Sequence, residues 1–303
     1  MSSHVMDKDA ATGVPEVPRL KGRGTPLREK FFQLSLWVSL AVGVVFLASL
    51  LVYVVVEAWP RLDSRIWTNF PDIINPSNAG AQSAIMGTLW VIAFTAVYCL
   101  PTGILAAIYL EEYADPNRWW NRLIEINIQN LAAVPSIVYG ILGLGIISRG
   151  LGFGQTVLTA SLTLSLLVLP TVIIASREAI RAVPQSIRQA SLALGATQWQ
   201  TIWRQVLPAA VPGMATGSIL ALSRAIGEAA PLLLLGGLTF ITFNPTGVES
   251  PFTVLPIQIF NWISQSRAEF TALASAAIVI LLVILLAMNS LAIWLRNRYS
   301  RRW

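Results

Sequence analysis

The stretch Thr271–Leu295, TALASAAIVILLVILLAMNSLAIWL, contains no charged side chain. A helix needs about 20 apolar residues to cross the hydrocarbon of a bilayer, so this stretch is long enough to span one. Lipid offers nothing that pairs with backbone N–H and C=O groups, which leaves helices and closed barrels as the only spanning structures. Working outward, five further stretches share its character: Leu34–Val56, Ala81–Leu110, Ile124–Ile147, Gln155–Ala175 and Val206–Gly237. The apolar-out alternation of barrel strands is missing. The sequence therefore predicts an all-α integral membrane helix bundle with six transmembrane helices, over residues 31–303.

Composition agrees, with 55% hydrophobic residues, 12% charged residues and a mean hydropathy of +0.64. Such a chain is too apolar for an ordinary soluble domain. Residues 1–30 are polar and rich in Pro, Gly, Lys and Arg, which predicts a disordered tail. No small-residue cleavage site follows a short apolar region, so the first span reads as a retained helix. Placing the N-terminus in the cytoplasm gives that side sixteen Lys and Arg and the other side four, Arg61, Arg65, Arg149 and Arg267. Positive charge stays inside, so both termini are expected to be cytoplasmic. The net charge of +6 then follows from topology and points to membrane lipid as a partner, not nucleic acid.

Several chemistries find no support. Cys99 is the sole cysteine and His4 the sole histidine, so neither a metal cluster nor a histidine-assisted nucleophile can be assembled. The sequence has no Gly-Lys pair and hence no Gly-rich phosphate cradle for ATP. No catalytic residue, metal or cofactor is expected. Trp119, Trp120, Trp262 and Trp294 fall near span ends, where interfacial anchoring is the expectation.

Between the fourth and fifth spans lies a polar, basic segment, Arg177 to Pro208. Pro184 suits a helix start, while Ile187, Ala190, Ser191 and Leu194 recur on one helical face. Gly195 suits a left-handed stop, and Thr197 with Gln200 forms a capping box for a second short helix expected to end before Pro208. Such a pair can be a knob for a groove on a partner. It can equally be a basic helix on the membrane surface, for which Arg177, Arg181 and Arg188 would serve.

The fifth span carries Arg224 and Glu228, four residues apart on one helix face. A central arginine costs roughly 2.5–3.5 kcal/mol on insertion scales. Arg before Glu is the weaker order for a helical ion pair, so a water-filled path competes with a structural pair as the explanation. The planar fork of Arg224 matches an oxyanion bidentately. Glu228 would moderate capture and accept a proton from an oxyanion that still carries one. Gly227 and Pro231 predict a kink beside the pair. Further on, an outer loop of about residues 239–270 holds an apolar run, Phe252 to Trp262, suited to lying against the membrane or a partner.

The loop's spacing resembles the E-A-A-x3-G-x9-I-x-L-P motif of ABC importer permeases, whose loop docks on the ATPase subunit. Gln189, Ala190 and Ser191 stand at E-A-A, Gly195 at the glycine, Gln205 at the isoleucine and Leu207-Pro208 at the ending. Gln189 lacks the carboxylate, so an ion pair of the family's Glu does not carry over. From about Leu34 onward the chain is similar to the PstA-type permeases of phosphate-specific ABC importers, in the binding-protein-dependent transport inner membrane component family. The likeness is densest in Arg177-Glu178-Ala179, Ala193-Leu194-Gly195-Ala196, Leu207-Pro208-Ala209-Ala210 and Gly227-Glu228-Ala229-Ala230-Pro231. The last string resembles G-E-T-A-P with Ala229 in place of threonine.

The resemblance implies a type I ABC importer permease fold in a bacterial inner membrane, forming half of a phosphate pathway. It implies a second homologous permease subunit, a dimeric ATP-binding subunit gripping coupling helices at about 184–206, and an external phosphate-binding protein. Arg224, and with it Arg177 and Glu228, would meet phosphate. Two alternatives stay open: a permease for another oxyanion such as sulfate or molybdate, and an ATPase-independent anion channel or secondary transporter.

Overall fold

A computed structural model of the chain describes residues 27–237 and 240–299. Residues 27–51 form one compact unit, the greater part of helix α1 (Leu27–Ala58), whose apolar side chains are exposed. Most of the tail expected over residues 1–30 lies outside the described residues; its last four positions form the first turn of α1.

The second unit is a helical bundle built on α3 (Gln82–Ile108), α6 (Val157–Arg181), α9 (Leu207–Ile226) and α12 (Ala268–Tyr299). In a membrane, helices associate through close packing and interhelical hydrogen bonds, because lipid is as apolar as leucine. Both devices are present. Ser161 Oγ and Ser165 Oγ on α6 donate to the Val91 and Thr95 carbonyls of α3, at 3.1 and 3.2 Å. Gly213 and Gly217 on α9 face Ala179 and Ala175 on α6; a Cβ added at Gly217 would stand 2.5 Å from the Ala175 Cβ. Two small-xxx-small ridges therefore lie backbone to backbone.

Among the described residues, five helical stretches are long and apolar enough to cross a membrane, Leu27–Arg61, Gln82–Tyr113, Val157–Arg181, Gln198–Ile226 and Ala268–Arg298. A sixth results when α4 (Trp119–Ala132) and α5 with its π-helical extension (Ser136–Gly150) count as one span. The sequence predicts a single third span over Ile124–Ile147, and in the structure its two halves meet at 105°. Pro135 explains the break, since it has no N–H and drives its predecessor out of the helical region. The Leu131 carbonyl at the break accepts from the Tyr139 hydroxyl at 2.8 Å. The fifth span also departs from its expected bounds: α9 stops at Ile226, and the chain resumes helix at α10 (Ala230–Leu234), after Gly227–Ala229.

The outer connection is a second correction. It holds helix α11 (Leu255–Ile263), while a shorter helix, α2 (Arg65–Thr68), lies near the start of the unit. Phe252, Val254, Leu255, Ile257 and Trp262 are buried, so most of this run is part of the core, while Phe260 stays exposed. Gly87 makes this possible, because any Cβ there would collide with the Thr253 carbonyl. The Leu255 N–H donates to Thr88 Oγ1 at 2.9 Å, and the Ser250 and Val248 carbonyls accept from the N–H groups of Val157 and Leu158 at the start of α6. The loop thus satisfies donors that a helix start leaves unpaired. Trp119, Trp120 and Trp294 are exposed, but Trp262 is 2% exposed and packs in the core, not at an interface.

Candidate functional site

The polar loop folds as two helices at an angle. Helix α7 (Gln185–Ala193) starts after Pro184 and stops at Gly195, whose φ of +82° costs a residue without Cβ little. The Ala196 N–H donates to the Ser191 carbonyl at 3.2 Å, closing the turn. Helix α8 (Gln198–Thr201) carries the complete capping box: Gln200 N–H to Thr197 Oγ1 at 3.2 Å, and Thr197 N–H to Gln200 Oε1 at 3.0 Å. Ser191 Oγ and Thr201 Oγ1, 2.9 Å apart, pin the two helices together. Contrary to expectation, the second helix does not end before Pro208. The Leu207 N–H bonds to the Ile202 carbonyl in a π-helical turn, and the chain runs on into α9. A proline clashes with the carbonyl four residues back, and a shift to i→i+5 pairing relieves it.

Ile187, Ala190, Ser191 and Leu194 share one face, as their spacing predicts, and line an open cavity of about 520 Å³ with Ala196, Gln200, Arg204 and Gln205. Leu194 is 89% exposed at its rim. Gln189 is exposed and does not line it. Leu207 is buried beneath, where α9 begins.

Beside that face, α7 carries one charged side chain, Arg188, which is nearly buried. Arg188 Nη2 lies 2.8 Å from Glu112 Oε1, with the side chains 12% and 9% exposed. Its Nη2 and Nη1 also donate to the carbonyls of Ile180 and Val183, at 2.9 and 2.6 Å. The neighbouring Glu111 accepts from Arg181 Nε and Nη2, both at 3.0 Å, and from Arg177 Nε at 3.3 Å. Arg177 Nη1 reaches Glu125 Oε1 at 3.0 Å. Removing one partner of so buried a pair costs about 3–5 kcal/mol. Sequence reasoning counted these arginines toward topology and passed over the acidic pair. The signal was there: two adjacent carboxylates, Glu111-Glu112, close an apolar span where burial without cations is costly.

Arg224 and Glu228 line a second cavity, of about 240 Å³, together with Leu131, Val134, Pro135, Ser136 and Thr171. Both chain breaks, at residues 133–135 and 227–229, border it. Gly140 holds α5 against α10, since a Cβ there would lie 2.7 Å from the Cα of Pro231. Arg224 Nε stands 3.5 Å from Glu228 Oε1 and its side chain is 68% exposed. A pair that long and open contributes well under about 1 kcal/mol, so it does not account for an arginine in this span. Arg177 lies apart, in a cavity of about 220 Å³ with Glu125, Gln129, Glu178 and Arg181.

Comparison with known proteins bears on the family and the fold. Residues 99–302 match the family model described as "Binding-protein-dependent transport system inner membrane component". The chain is 30% identical to the probable ABC transporter permease protein YqgI of Bacillus subtilis, covering 84% of this chain and 90% of that one. It is 33% identical to the phosphate transport system permease protein PstA 1 of Mycobacterium tuberculosis, covering 87% of each. Among solved structures it resembles a bacterial ABC transporter of alginate in complex with a periplasmic protein, with a TM-score of 0.65 at 16% identity over 91% of this chain and 96% of that one. It also resembles the inward-facing methionine ABC transporter MetNI, with a TM-score of 0.57 at 18% identity over 73% of this chain and 95% of that one.

Proposed function

We propose a phosphate pathway for this chain, which belongs to the binding-protein-dependent transport system inner membrane component family and is a multi-pass ABC importer permease of mostly helical fold. It is a transporter subunit and not an enzyme; ATP is hydrolysed by a separate subunit. Phosphate is the cargo that the PstA-named relatives support. The chain supplies half of the route, a second homologous permease supplies the other half, and an external phosphate-binding protein delivers the anion. The loop of residues 185–206 lies on the cytoplasmic side, following the positive charge, and offers its Ile187–Leu194 face to a dimeric ATPase.

The observation that carries the proposal is Arg224, a guanidinium without a firm partner that lines a cavity between two broken helices. Non-helical backbone at membrane depth is tolerated where it lines a cavity or is buried in protein. A fork of donors there matches a phosphate, and Glu228 keeps the complex from becoming too tight. Arg177 is already engaged by Glu111 and Glu125, so the proposal leaves it out of the pathway.

Uptake of labelled phosphate with and without this chain, challenged by excess sulfate and by ATP depletion, tests the reading. An ATP-dependent, sulfate-resistant flux that disappears on deletion supports it. Inhibition by sulfate would move the cargo to another oxyanion, and flux that survives ATP depletion would remove the ATPase from the account.

A further inference from the structure

We infer that Arg188 is a positioning residue for energy coupling: its ion pair with Glu112 fastens the α7 loop to the end of α3, so that a push on the loop reaches the membrane helices. The inference rests on the reading of residues 185–206 as the ATPase dock.

Helix α7 has two functional sides. One bears Ile187, Ala190, Ser191 and Leu194 and borders the open cavity. Arg188 flanks that face without lining the cavity, and its guanidinium bonds to three separate places: Glu112 Oε1 at the end of α3, the Ile180 carbonyl in the last turns of α6, and the Val183 carbonyl in the linker. A second strap comes from α8, whose Gln198 Nε2 donates to the Glu112 carbonyl at 2.7 Å. A basic helix that served the membrane surface would turn this arginine toward water and headgroups, yet it is 12% exposed.

The adjacent carboxylates divide the work. Glu111 binds Arg177 and Arg181 on α6, while Glu112 binds Arg188 on α7. Both sit on the π-helical turn Tyr109–Tyr113 that extends α3. The end of α3 is therefore a bracket that holds a membrane helix with one residue and the docking loop with the next. Without the Arg188–Glu112 pair, α7 is held by the linker Ala182–Pro184 to α6 and by the Ser191–Thr201 contact to α8, which runs on into α9, and its own side chains no longer reach the end of α3.

The test uses the assembled transporter in liposomes: this chain, the second permease, the ATPase and the binding protein, with phosphate moved per ATP hydrolysed as the readout. Glu112→Gln and Arg188→Lys should each lower that ratio about tenfold, within the range that coupling residues reach. ATP hydrolysis should stay within about twofold of the unaltered transporter. The double variant Glu112→Cys/Arg188→Cys should behave likewise when reduced, and linking the two thiols with a short reducible bifunctional reagent should restore the ratio. Cys99 is 1% exposed, so within this chain the reagent meets the introduced pair, and the unaltered transporter treated alike is the control for thiols of the other subunits. An unchanged ratio in the single variants, or a linked pair that stays uncoupled, overturns the inference. An ATPase that never co-purifies with the unaltered chain overturns the docking reading beneath it, which is a different and recognisable result.

Discussion

The α7 end and the cavity around Arg224 both place arginine beside glutamate, and they treat the pair in opposite ways. Arg188 and Glu112 stand 2.8 Å apart, nearly buried, with two carbonyls sharing the load. Arg224 and Glu228 stand 3.5 Å apart with the arginine largely open. A charge with four of its five donors engaged, as in Arg188, can transmit force and has little left to offer a ligand. A charge left loosely held can receive one, since the ligand displaces little. The contrast separates the part of a transporter that must be stiff from the part that must exchange partners.

The sharpest way to break this contrast is Arg224→Ala. Losing charge-assisted bonds to an anion removes about 3 kcal/mol, or about 100-fold in phosphate uptake at matched expression. ATPase association should be unaffected, because the α7 face is untouched. Uptake that stays normal would return Arg224 to the role of a structural charge and erase the difference between the two pairs.

A smaller effect is expected from the packing that joins the two regions. Helices α6 and α9 connect the loop to the cavity through Gly213, Gly217, Ala175 and Ala179. Gly217→Val forces those backbones apart at a cost of about 1–3 kcal/mol, which lowers the unfolding midpoint in detergent by several degrees. Gly145→Ala is the control, as a Cβ there meets nothing within 4 Å. Equal shifts in the two variants would mean that the α6–α9 contact is not specially tight.

Legibility in the sequence followed the range of the interactions. The apolar spans and the turn at Gly195 with its Thr197–Gln200 box depend on neighbours within a few residues, and their patterns survive in one dimension. The break at Pro135 was visible as a proline, but not as a 105° bend, because a proline in a membrane helix is often accommodated by neighbouring groups. The burial of Phe252 and Trp262 was hidden for another reason. An apolar run too short to cross looks the same whether it meets lipid or protein, and Gly87, which admits the Thr253 carbonyl, lies far away in sequence. The bracket at Glu111 and Glu112 joins residues 66 to 76 positions apart, a pairing that no local period announces.

The smallest effect asks what kind of force holds the stiff end to its ATPase. Gln189 occupies the position where the family pattern has glutamate, and it is exposed beside a face lined by Ile187, Ala190 and Leu194. If burial of that face supplies the affinity, Gln189→Glu adds one solvated charge whose pairing contributes about 0–1 kcal/mol, so ATPase affinity measured at physiological salt should change by less than about fivefold. Leu194→Asp should weaken it far more, since a charge would enter the part of the surface that docking desolvates. A Gln189→Glu gain well beyond that limit, fading as salt is raised, would instead mean that the partner keeps a cation waiting at this position. Docking would then be electrostatic at its centre, and the apolar face would serve to exclude water around it.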